Sequence, residues 1–211
     1  MLNLHKLPGT AACVVGAMLL AACGAEDSVP AGDLPPSGVG APSAAERARV
    51  TGLGEQAASA LMASLGAQLM AAMEAGGPVE AVAVCRNVAL PLTDGAASGF
   101  EGVSLRRTTS KPRNPANAPD ERDLAVLATM EAAATGDDEV PGVMIEWDDT
   151  VAHFYAPVFV QQVCLNCHGD PGGFSEPLAE KLRELYPDDQ ATGYALGDFR
   201  GVIRVDIDRQ P

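Results

Sequence analysis

The chain of 211 residues has room for one ordinary core plus extensions and not for two comfortable domains. Its hydrophobic share of 47% suits a folded protein, but aromatics make up only 4%, so Leu, Val, Ala and Met must fill most of the interior, which a bulky apolar group would help to complete. A formal charge of -14 at pH 7 argues against a nucleic-acid partner, whose phosphates such a surface would repel, and leaves basic proteins or neutral molecules.

Residues 1–22 read as a secretion signal: Lys6 lies in a short polar start, Ala11 to Leu20 is mostly apolar, and small residues follow. The stretch Leu20-Ala21-Ala22-Cys23 resembles the lipobox of bacterial lipoproteins, in which the cysteine becomes the acylated first residue. The expectation is a lipid anchor at Cys23 on the periplasmic side of the cell envelope; the alternative is cleavage after Ala22 with Cys23 left as a free thiol. The apolar run falls short of the roughly 18 residues that cross a bilayer. Residues 24–42 then shift to Pro, Gly, Ser, Asp and Ala and read as a tether, on the order of 25 Å end to end if flexible.

The domain is expected over residues 43–211. Ser43 with Glu46 fits a capping box, and Val50, Leu53, Ala57, Leu61, Leu65, Leu69 and Met73 recur at helical steps up to Gly76-Gly77. Pro78 suits the first turn of a second helix that turns Val82, Cys85, Ala89 and Leu92 inward. Val103, Leu105 and Arg107 suggest a short strand, Lys111 to Pro119 a loop, and Asp120 to Thr135 a third helix stopped by Gly136. Val143 to Trp147 and Val151 to Val160 flank Asp148-Asp149 as an antiparallel hairpin. After a short helix from about Pro177 to Leu185, Tyr194 to Leu196 and Gly201 to Ile207 look like a second hairpin. The sum is an α+β domain, helices first and an antiparallel sheet after.

Cys164-Leu165-Asn166-Cys167-His168 matches the C-x-x-C-H signature for haem c attachment. Two thiols three positions apart reach the two vinyl groups of one porphyrin, and the adjacent His168 turns its imidazole onto the iron; export suits this chemistry. A thioredoxin-like redox pair would need a βαβ setting, and structural zinc would need a second Cys/His pair; the sequence offers neither. For the second axial ligand the residues leave a choice between Cys85, the cysteine left after Cys13 and Cys23 are set aside, and His153, Met62, Met70, Met73, Met130 and Met144. Arg106, Arg107, Lys111 and Arg113 form a dense basic cluster that either pairs with haem propionates or faces solvent. Tyr186, Tyr194 and Arg200 either line the haem edge or are simply packed, while Asp188-Asp189 reads as solvated loop charge and His153 as a partly exposed strand residue.

The segments Arg106 to Thr109, Arg113 to Pro119, Cys164 to Gly169, and Tyr186 to Tyr194 followed by Gly197 to Gly201 resemble, in that order, the PAS-like single-haem c domain family, formerly catalogued as a domain of unknown function. The resemblance runs from about Ser43 to the C-terminus and implies a PAS-like antiparallel sheet with N-terminal helices. It also implies a haem held by His and Cys, the Cys coming from a helix well before the attachment motif, a position that Ala83-Val84-Cys85-Arg86 matches. Members occur alone or as extracytoplasmic sensors; the lipobox and tether depart from the sensor members. The expected cofactor-binding residues are thus Cys164, Cys167, His168, Cys85, Arg107 and Tyr194, with His168 and Cys85 on the iron. The expected function is an envelope monohaem cytochrome that exchanges electrons with a redox partner protein, a redox or gas sensor with ligand switching at Cys85 being the alternative. No enzyme is expected, since neither an open iron site nor a set of acid-base residues stands out.

Overall fold

The computed structural model describes residues 40–136 and 139–210; the signal segment, Cys23 and most of the tether lie outside the described residues. Helix α1 (Ala44–Ala97) has two arms joined where Gly76 and Gly77 leave helical geometry, Gly77 with a φ of 69° that favours glycine. That is the break read from Gly76-Gly77-Pro78. Ser43 caps the first arm, its side chain accepting from the Glu46 N–H at 3.1 Å. The Glu46 carboxylate also takes a 2.8 Å bond from Arg209, 163 positions along the chain.

Strands β1 (Val103–Thr108), β2 (Met144–Trp147), β3 (Val151–Phe159) and β4 (Phe199–Asp208) form one antiparallel sheet in the order β1-β4-β3-β2. The first arm of α1 covers one face: Val50, Ala57 and Leu61 pack on Leu105, Phe154, Ile203, Val205 and Ile207. Helix α2 (Glu121–Thr135) covers the other face, with Val126, Leu127 and Met130 against Tyr155 and Val202. Asp120 caps α2 and Asp123 returns the bond to the cap residue. Beneath α2, Arg204, which alternates with Ile203 and Val205, is buried and bonds Asp120, Asp123 and Asp206.

The α+β expectation holds, and the β2–β3 hairpin is where the sequence puts it. The second expected hairpin does not form. Residues 194–196 are not a strand, and β4 pairs on its two sides with β1 and β3. The backbone N–H of Tyr194 is already spent on the His168 carbonyl, and Gly197 is clipped to Val160 at 2.9 Å, so this stretch is held as a turn against the segment that follows β3.

Candidate functional site

After β3 the chain passes through a short turn of 3-10 helix (Gln162–Cys164) into the single helical turn α3 (Leu165–His168). Helical spacing puts residues 164, 167 and 168 on adjacent parts of one face, so both thiols and the imidazole project together. Cys164 and Cys167 are half-buried free thiols, not a disulfide, and Cys164 Sγ accepts from the Gln161 N–H at 3.3 Å. Gly169 ends the turn where a Cβ would sit 2.7 Å from the Leu165 carbonyl oxygen.

His168 is held by its own turn and by the loop before β4. Its Nδ1 lies 2.6 Å from the Ala191 carbonyl oxygen. A carbonyl only accepts, so Nδ1 carries the proton and the Nε2 lone pair is free to ligate. Burial, with the Arg113 and Arg200 guanidiniums adding to it, pushes the ring's pKa down to about 3, which keeps it neutral at pH 7. The Tyr194 ring stands edge-on to the imidazole at 6.4 Å, and its N–H donates to the His168 carbonyl at 3.0 Å.

The loop that supplies Ala191 is itself braced. Asp189 accepts from the Ala191 N–H at 2.8 Å and from Arg113 Nε at 2.9 Å. Arg113 Nη2 donates to the carbonyls of Cys167 and Ala191. Lys111 Nζ donates to the Thr192 carbonyl at 2.8 Å, and Gly193 N–H to that of Gly169 at 2.8 Å. Asp189 is therefore a nearly buried ion-pair partner and not solvated charge, a role invisible in sequence because Arg113 lies 76 positions away.

The second arm of α1 packs on helix α4 (Glu176–Leu185) beside this turn: Val82 joins Leu178, Leu182 and Tyr186 in a cluster that Cys167 also touches. Cys85, one helical turn beyond Val82, is a half-buried free thiol. Burial pushes that thiol up, while the positive charges of Arg107 and Arg113 pull the other way; the Cys167 thiol is likewise raised by burial, with Cys85 among the charges acting on it. Cys85 thus lies on the arm whose Val82 shares a cluster with Cys167, within reach of the Arg107 and Arg113 charges.

Arg107 and Arg200 complete it. Burial lowers both guanidinium pKa values, and among the described residues neither forms an ion pair. Arg107 Nε is buried without a hydrogen-bond partner. Arg200 is held on the neutral Thr109 hydroxyl at 2.9 Å and lies 5.2 Å from the Tyr194 ring centre. Two half-buried cations without an ion-pair partner among the described residues would be stabilised by an anion joining them.

Other sequence candidates are elsewhere. Arg106 points to the α2 face, paired with Asp120 and Asp123. His153 is buried on that same face, between Asp206 at 2.6 Å and Asp148 at 3.0 Å, and is not partly exposed. Met130 and Met144 pack beneath α2, and Met62 and Met70 are exposed on the first arm. Met73 is half-buried near the end of the first arm, and Cys85 lies close enough to the attachment turn to act on the Cys167 thiol. Among the described residues no three His, Cys, Asp or Glu side chains converge on a bare metal ion.

The model of the Tll0287-like family matches residues 42–208. The crystal structure of the cyanobacterial heme-protein Tll0287 resembles this fold with a TM-score of 0.54 and 23% identity, over 80% of this chain and 98% of that one. No curated protein matches the chain. With the family pattern running from the residue before the Ser43 cap to the last residue of β4, the chain belongs to the Tll0287-like family.

Proposed function

We propose that the chain carries one haem c, attached through Cys164 and Cys167, with His168 Nε2 and Cys85 Sγ on the iron. The observation that carries this is the hydrogen bond from His168 Nδ1 to Ala191, which presents Nε2 as a donor on the same turn as two free thiols. The family relationship to the cyanobacterial heme-protein Tll0287 supports it. Cys164 and Cys167 would hold the group by thioether bonds, each thiol adding its sulfur and its hydrogen across one vinyl group. Arg107 and Arg200 fit the group as well: without an ion-pair partner among the described residues, they would hold its two propionate carboxylates, and Tyr194, edge-on to His168, would line it. When bound, the haem supplies one-electron chemistry.

The role that follows is an envelope electron carrier, lipid-anchored at Cys23, that meets a redox partner protein; no residue is assigned to catalysis. Two protein ligands leave no open iron position, and a thiolate donor favours ferric iron and a low potential. The second reading is a sensor that loses Cys85 on reduction, since a neutral thiol is a weak ligand for ferrous iron. Absorption and EPR spectra of the purified holoprotein with and without dithionite, then with carbon monoxide, separate the two. Reversible cycling without carbon monoxide binding fits the carrier, and ligand exchange on reduction fits the sensor.

A further inference from the structure

We infer that Arg113 is a positioning residue for the iron ligand His168, fixing the imidazole plane from behind through two backbone carbonyls; this rests on the haem c reading above. Its planar fork is divided between the two segments that must keep register for His168 to point correctly. Nη2 donates to the carbonyl of Cys167, inside the attachment turn, and at 3.3 Å to that of Ala191, the acceptor of the His168 Nδ1 proton. Nε is held by Asp189, whose other oxygen fixes the Ala191 N–H at 2.8 Å. One guanidinium thus ties the ligand's own turn, the ligand's acceptor and the residue that anchors that acceptor.

The fork is in turn held in place. Arg113 and Asp189 side chains are only 11% and 12% exposed, and the guanidinium lies 5.9 Å from the ring centre of Tyr186, a member of the cluster on the Cys85 arm. Its charge is neutralised by Asp189, which separates it from Arg107 and Arg200: those two are left for an anion, whereas Arg113 is committed to the protein. A lysine keeps the charge but offers a single nitrogen with no fixed plane, so it cannot serve Cys167, Ala191 and Asp189 together.

The test uses the full chain matured in a host that attaches haem c, comparing wild type with Arg113→Lys and Asp189→Asn by EPR of the ferric protein, together with thermal melts. Asp189→Asn still accepts from the Ala191 N–H but removes the anion opposite Arg113 Nε, and it decides the matter if Arg113→Lys does not fold. The expected result is retained covalent pigment with the single low-spin set of g values replaced by several sets or a high-spin fraction, more strongly in Arg113→Lys. Pigment retained with the wild-type g values in both variants, whatever the melts do, would overturn the inference. Wild type that takes up no covalent pigment would instead sink the haem reading on which it rests.

Discussion

Nδ1 of His168 and the carbonyl oxygen of Ala191 lie 2.6 Å apart, across 23 residues of chain, and that contact alone decides which imidazole nitrogen is free to bind iron. Attachment and ligation should therefore be separable. In His168→Ala the thiols of Cys164 and Cys167 remain, so covalent pigment should persist while the low-spin ferric spectrum becomes high-spin; a low-spin spectrum like that of wild type would remove His168 from the iron.

Cys85→Ala tests the other ligand. Removing the thiol should abolish the thiolate-ligated ferric spectrum and raise the reduction potential, because the strong anionic donor is lost. An unchanged EPR spectrum would reject Cys85 as a ligand.

Gly54 sits where α1 crosses β3, and a Cβ there would meet the Phe154 ring at 2.3 Å. Ala is the better helix former by about 1 kcal/mol, but the overlap with a fully buried ring should cost more. Gly54→Ala should lose about 2 kcal/mol net in urea denaturation, and a gain in stability would mean that the helix approaches the sheet less closely.

Asp148 is held below the ordinary carboxylate range by its hydrogen bond to His153, with Arg122 adding to it against a smaller opposing effect of burial. A carboxylate lowered on folding takes up its proton more readily in the unfolded chain, so its contribution is complete above about pH 5 and fades as the pH falls through 4 and below. The gap in urea midpoint between wild type and Asp148→Asn should therefore shrink from pH 7 to pH 3.5; a constant gap would show that the Asp148 charge contributes nothing.

Features set by neighbours in sequence were legible in it. Asp120 and Ser43 are local caps, Gly76-Gly77-Pro78 is a local break, and the spacing of Cys164, Cys167 and His168 carries its chemistry on one helical turn. Pairings between distant segments were not. Alternation in β4 gives Ile203, Val205 and Ile207 to α1, yet nothing local tells that α2 will cover Arg204 on the opposite face and bury it with Asp123. Tyr194 to Leu196 has the composition of a strand, but its position is decided by backbone bonds to His168 and Val160. Along the first arm of α1 the apolar stripe continues past Leu61 through Leu65, Leu69 and Met73, which are only half-buried. The periodicity shows which side of a helix is apolar and not how far its partner extends.

Covalent attachment is tested most directly by maturing the exported chain in a host that attaches haem c, denaturing it, and extracting it with acidified organic solvent. The pigment should stay with the polypeptide and be lost from it in a Cys164→Ala, Cys167→Ala double variant. A colourless wild-type chain, or pigment that passes entirely into the solvent, would contradict thioether attachment at this turn.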